Sequence, residues 1–182
     1  MPGLDSRLLY TLLVLLVAGE RLAELAVSRR NERRLRARGA VEAGAGHFPA
    51  MAALHAAWLA ACPLEVWLLD RPFLPPLAAA AALALVLTMA LRYWVIATLG
   101  DRWCTRVLVP PGEPPIAAGP YRWLRHPNYL AVAVEVFALP LIHTAWLTAA
   151  VLGSANLAIL AVRIRAEDRA LAGAGTTSAP RP

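Results

Sequence analysis

Long apolar runs separated by clusters of arginine constrain this chain more than any other feature. Of its 182 residues 59% are hydrophobic and only 16% charged, against about 25% charged in ordinary soluble domains. The apolar residues gather into five stretches, at about 4–27, 47–69, 73–99, 128–139 and 144–162. Runs near 20 residues are what the hydrocarbon core of a bilayer asks of a helix. The expected fold class is therefore all-α: a polytopic integral membrane protein of five transmembrane helices, the last two forming a hairpin. Pro63 falls inside the second run, where it is expected to kink the helix. The fourth run is short for a full crossing at about 1.5 Å per residue, so it either tilts or pairs with the fifth around the turn at Pro140 and His143.

All basic residues are arginine, and their placement sets the expected orientation. Six lie between the first two runs (Arg29, Arg30, Arg33, Arg34, Arg36 and Arg38). Four lie between the third and fourth (Arg102, Arg106, Arg122 and Arg125), and four follow the fifth (Arg163, Arg165, Arg169 and Arg181). With five crossings all of these fall on one side, opposite Arg7 and Arg71, and arginine-rich loops stay in the cytoplasm. We therefore expect the N-terminus outside and the C-terminus in the cytoplasm. The first run resembles a secretory signal, but so basic a following segment resists translocation, so an uncleaved first span is expected. The net charge of +6 is accounted for by topology, and no nucleic-acid partner is expected. Cys62 and Cys104 fit no metal or redox spacing; free thiols and no metal are expected.

The chain is read as one membrane domain over 1–182, with its chemistry in about 100–182 and a disordered tail from about 172. The loop from Gly100 to Pro127 is rich in Pro and Gly and has no apolar period of its own; loops this long in compact proteins are functional or disordered. It ends in a dense constellation, Gly119-Pro120-Tyr121-Arg122-Trp123-Leu124-Arg125-His126-Pro127-Asn128-Tyr129. Pro127 suits the first turn of a helix, whose positive end welcomes a carboxylate. The competing reading is a belt of Trp, Tyr and Arg at the headgroups. A second constellation closes the fifth run: Asn156, Arg163, Glu167 and Asp168, the first three on one helical face. Arg163 and Glu167 could form a plain exposed ion pair, but the face continues into the membrane at Asn156, where polar groups are costly. Glu135, inside the fourth run and seven residues after Asn128, needs a partner or a wet cavity; a structural bond and a substrate role are both open. His47 and His55 are read as packing residues, and Glu20, Arg21 and Glu24 as pairing among themselves or snorkelling.

At these residues the sequence resembles the isoprenylcysteine carboxyl methyltransferase family. The matching pattern is Gly-x-Tyr-x-x-x-Arg-His-Pro-x-Tyr, here Gly119 to Tyr129, joined by Arg-x-x-x-Glu after the next hydrophobic hairpin, here Arg163 to Glu167. The resemblance implies a multi-span helical fold, a cytoplasmic pocket and S-adenosylmethionine as methyl donor. It implies cofactor contacts at Tyr121, His126, Pro127, Asn128, Tyr129 and Glu167, with Asp168 and Ile116 placed in the same set. Arg163 would face a substrate carboxylate, with Asn156 and Glu135 as further substrate-binding candidates, and Arg163 and Glu167 are the catalytic candidates. Two positions depart from the pattern: Asp168 stands where the family often has a second Glu, and Ala131 where a glycine is common. The expected function is an O-methyltransferase acting on the carboxylate, or an enolic or phenolic hydroxyl, of a prenylated or polyketide-like lipophile, with membrane lipids as surroundings. A phospholipid N-methyltransferase, a membrane NADPH-dependent reductase and a non-catalytic scaffold are the alternatives.

Overall fold

The computed structural model describes residues 5–44, 46 and 48–176; His47 and the segment 177–182 lie outside the described residues. The architecture is five α-helices: α1 (Ser6–Ala37), α2 (Phe48–Leu68), α3 (Pro75–Leu99), α4 (Pro127–Leu141) and α5 (Ser154–Thr176). A π-helical stretch, Thr148–Gly153, leads into α5. The helices start where the chain chemistry allows: Asp5 accepts the Arg7 N–H at 3.0 Å to cap α1, and prolines occupy the first turns of α3 and α4, where a missing N–H costs nothing. Gly100 ends α3 with φ +54.

Three features depart from the sequence reading. α1 runs ten residues past its apolar stretch, so the arginine cluster is helical. Its buried face there is Ser28, Asn31 and Leu35 while Arg29, Arg30, Arg33 and Arg34 are exposed. A two-stranded antiparallel ribbon, β1 (Val41–Ala43) with β2 (Val107–Val109), qualifies the all-α class; Val41 lies opposite Val109. Three-residue strands are too short to leave a period in the sequence. Finally, the tail expected to be disordered from about 172 is helical as far as Thr176.

Three helical segments are long and apolar enough to cross a bilayer: Phe48–Leu68, Pro75–Arg102 and Thr148–Ala172. α4 has 15 residues, and α1 carries Glu20, Arg21 and Glu24 amid its leucines. The molecule's surface is apolar along the helices, with Leu12, Leu15 and Leu16 of α1, Leu83, Val86 and Leu87 of α3 and Val151 beside α5 all exposed. Apolar surface on this scale marks a membrane-facing protein.

Inside, the packing satisfies polar groups that lipid could not. Tyr10, Val14, Trp58, Cys62, Leu85, Val136 and Leu139 form the centre of the core. Pro140 sits inside α4 and has no N–H to offer the carbonyl four residues earlier, that of Val136. The indole Nε1–H of buried Trp58 donates to that carbonyl at 3.0 Å, so α2 repairs the bond that the proline removes. At the hairpin end Glu65 of α2 accepts the Leu147 and Thr148 N–H groups at 3.0 and 2.6 Å and is gripped by Arg71. It thereby caps the π-helical stretch. Thr144 turns the hairpin with φ +54, a costly conformation for a β-branched residue, held by its hydroxyl donating to the Pro72 carbonyl at 2.6 Å.

An unpaired buried acceptor costs about 1–3 kcal/mol. Trp58→Phe is therefore expected to lower stability by about that amount in thermal unfolding in detergent. Adding Pro140→Ala, which returns an N–H to the helix ladder, should recover part of the loss.

Candidate functional site

The site forms where the start of α4, the C-terminal half of α5 and the loop 100–126 converge. Tyr129 is its hub. It is buried on the first turn of α4; its hydroxyl donates to the Glu167 carboxylate of α5. Its ring lies 5.5 Å from the His126 imidazole and 5.8 Å from the Arg163 guanidinium. His126, the residue before α4, contacts Asp168 through Nε2 at 3.1 Å, and Arg125 reaches the same carboxylate oxygen at 3.0 Å. Residues about forty apart in sequence are thus joined pairwise, the His-Pro-x-Tyr segment on one side and Glu167-Asp168 on the other.

Arg163 does not form the ion pair with Glu167 that their spacing allows. Glu167 is turned to Tyr129, while the guanidinium donates through Nη2 to the Thr105 carbonyl at 2.7 Å and through Nη1 to the Met51 sulfur. Its buried Nε has no partner. Among the described residues Arg163 makes no ion pair, which leaves a partly buried positive charge without a counter-ion. It also borders a small cavity lined by Glu42, Phe48, Arg106 and Val107. Thr105 in turn is fixed from α1: Ser28 accepts its N–H at 2.8 Å and bonds its hydroxyl at 2.9 Å. Asn31 holds the Gly100 and Trp103 carbonyls nearby. The loop expected to be functional or disordered is thus stitched to α1 on one side and to Arg163 on the other.

Other candidates fall elsewhere. Tyr121 is half-buried in the loop, and its hydroxyl is pushed up to about 12 by burial, then by the nearby charge of Glu167, so it stays neutral. Ile116 is half-buried in the loop and Pro127 is buried at the helix start. Asn128 turns toward α3, its Oδ1 accepting from Arg92 at 3.4 Å. Glu135 is fully buried and already paired with Arg21 at 2.8 Å, so of its two open readings the structure fills the structural one. Asn156 is buried but spends its amide N–H on the Leu152 carbonyl of the π-helical stretch just before α5, at 2.9 Å. Arg122 and exposed Trp123 face outward, with Trp123 stacked near Trp94. Trp123 is thus exposed beside Trp94, whereas His126 and Tyr129 turn inward to Asp168 and Glu167. Thr105, Met51 and Ser28 were not singled out in the sequence. Of these only Ser28 left a signal, three residues before Asn31 on one face of an otherwise arginine-rich helix.

The part of the chain that carries these residues matches a known family. A model of the isoprenylcysteine carboxyl methyltransferase (ICMT) family matches residues 80–173, which include the Gly119–Tyr129 segment, α4, and Arg163 to Asp168. The chain belongs to the isoprenylcysteine carboxyl methyltransferase family. It is similar to the uncharacterized protein YpbQ of Bacillus subtilis, 36% identical over 164 residues, covering 90% of this chain and 96% of that protein. An uncharacterized protein of Haemophilus influenzae is 30% identical over 152 residues, covering 83% of this chain and 88% of the relative. No solved structure matches. Family membership and the three long apolar helices together make this an integral membrane protein of a methyltransferase family.

The first residue of the family segment has a physical reason. Gly119 has φ +54 and lies against α3: a Cβ there would sit 2.3 Å from Oγ1 and 2.9 Å from Cγ2 of Thr98. Gly119→Ala is expected to cost about 2–4 kcal/mol, from left-handed backbone strain and overpacking together. Thr98→Ala should relieve most of the overpacking and leave about 1 kcal/mol of backbone cost; thermal unfolding of the single and double variants checks both.

Proposed function

We propose that this protein is an S-adenosylmethionine-dependent O-methyltransferase whose acceptor is the carboxylate, or an enolic or phenolic hydroxyl, of a prenylated or polyketide-like lipophile held in the membrane. The observation that carries the reading is Arg163. It is a partly buried guanidinium with no ion pair among the described residues, set 5.8 Å from the ring of Tyr129, whose hydroxyl donates to Glu167. Burying an unpaired charge is expensive, so a site of this kind is completed by an anion that arrives. A carboxylate acceptor suits the planar two-pronged grip of a guanidinium, whereas a cationic amine head would be repelled.

The residues present fit the donor. Its carboxylate suits the start of α4, which no side chain caps and where N–H groups are free. Glu167 and Asp168 suit its ammonium and ribose hydroxyls, and the faces of Tyr121 and Tyr129 suit its sulfonium. The bound donor supplies an electrophilic methyl group. The chain's own task is to bring the acceptor oxygen to about 3–3.5 Å in line with it and to exclude water. A carboxylate needs no base; for a hydroxyl acceptor His126, Glu167 and Asp168 are the candidate bases. In this reading α1 and α4 cross or enter the bilayer beside the three long helices, and the site opens at the arginine-rich cytoplasmic face of a bacterial inner membrane. The lipophile's tail stays among the helices there.

Calorimetry in detergent with S-adenosylmethionine and, separately, NADPH tests the class; binding of NADPH alone would overturn it in favour of a reductase. Arg163→Ala is expected to cut methyl transfer to a lipid extract at least about 100-fold while leaving donor affinity within about threefold, the split expected of a residue that serves the acceptor. Glu167→Ala is expected to weaken donor binding about tenfold or more, about 1.4 kcal/mol. A carboxylate acceptor gives a rate that is flat from about pH 6 to 9, and a phenol or enol one that rises with pH.

A further inference from the structure

Apart from the site, the largest concentration of buried charge joins α1, α3 and α4. Arg92 of α3, buried, grips Glu24 of α1 with two prongs, Nε to Oε1 at 2.7 Å and Nη2 to Oε2 at 2.6 Å. Arg21, one turn before Glu24, donates to it through Nη1 at 2.7 Å and to Glu135 of α4 through Nη2 at 2.8 Å. Two guanidiniums and two carboxylates pair at its centre, where mutual pairing is what lets charge be buried. Glu20 adds a third carboxylate at the edge, 3.6 Å from Arg21 and bonded to Tyr93.

The geometry of the Arg92 grip matters for the site. The fork on Glu24 uses Nε and Nη2 and so fixes the guanidinium plane, leaving Nη1 aimed at Asn128 Oδ1, 3.4 Å away. Asn128 lies on the first turn of α4, between His126 and Tyr129. No side chain caps that turn, so it lacks the usual local device for setting its start. The second contact to α4, Arg21 with Glu135, comes seven residues later, about 10.5 Å along the axis and on the same face. The near pin holds the first turn of α4, and the far one its middle. Tyr129, the next residue after Asn128, then points to Glu167 and Arg163.

We propose that Arg92 is a positioning residue for the donor-binding start of α4: clamped by Glu24, it holds Asn128 and thereby sets where His126 and Tyr129 stand. The inference rests on the functional reading above only in naming that segment donor-binding. Lysine at 92 keeps a charge for Glu24 but has no planar fork with a third nitrogen to aim at Asn128.

The test uses the full chain in lipid nanodiscs, without donor, and reads hydrogen exchange of the amides at 129–132 alongside thermal unfolding. Arg92→Lys is expected to speed exchange there about tenfold or more, with Arg92→Gln at least as strong. Glu135→Gln, which loosens the distant pin, should lower the unfolding temperature at least as much as Arg92→Lys yet leave exchange at 129–132 within about threefold. In calorimetry with S-adenosylmethionine, Arg92→Lys should weaken binding about tenfold and Glu135→Gln less than about threefold. Wild-type exchange at 129–132 in both Arg92 variants overturns the proposal, as does exchange that tracks the unfolding temperature alike in all variants. If the wild-type protein binds no donor, the functional reading fails and the exchange measurement still decides the role of Arg92.

Discussion

The pairing of Arg21 and Arg92 with Glu24 and Glu135 is the interaction on which the remaining structure leans. Hydrocarbon offers no water to charged or polar groups, so each must find its partner within the protein. Here that demand ties α1 to α3 and α4, three helices whose outward surfaces are leucine and valine and would not otherwise choose one another. The same demand explains smaller features. Trp58 supplies the carbonyl of Val136 with the N–H that Pro140 lacks, and Glu65 takes the free N–H groups at the start of the π-helical stretch. Apolar contact alone specifies helix rotation poorly in lipid, where tails are as greasy as leucine; polar partners specify it sharply.

α4 shows how this serves the site. One of its faces presents Asn128 and Glu135 to the charged group, and an adjacent one presents Tyr129 to α5. Fixing the first face sets the second. α5 is brought to meet it by the short hairpin, whose close packing leaves no room at Gly153, where a Cβ would lie 2.9 Å from the Phe137 ring. The long loop then passes between α1 and α5, with Thr105 as the shared point: Ser28 binds its N–H and hydroxyl, and Arg163 its carbonyl. A guanidinium held by a carbonyl, a sulfur and an aromatic face keeps its full charge available. An ion pair with Glu167 would have spent it.

Much of this was legible in the chain. The apolar runs at 47–69 and 73–99 became α2 and α3 nearly to the residue, because bilayer-length apolar runs and first-turn prolines carry their own boundaries. The segment Gly119 to Tyr129 and the residues Arg163 and Glu167 stood out as candidates, and the structure brings His126, Tyr129, Arg163 and Glu167 together. Glu20, Arg21 and Glu24 were read as satisfying one another. Only Arg21 with Glu24 does so closely, and the stronger partners, Arg92 and Glu135, come from 68 and 114 positions away. The ribbon of β1 and β2 left no trace, since three residues make no period.

What the sequence determined by itself was local: which stretches are greasy enough to be helices in lipid, where proline and glycine start and stop them, and which residues are too polar to lie there idle. Tertiary structure alone decided who partners whom. It turned Glu167 from Arg163 to Tyr129, gave Glu135 to Arg21, and split the aromatic segment into an exposed Trp123 and an inward cluster of His126 and Tyr129. The reason is physical. Helix propensity and hydropathy act over a few neighbouring residues, whereas the pairing of a buried charge depends on which helices pack side by side and how each is rotated about its axis.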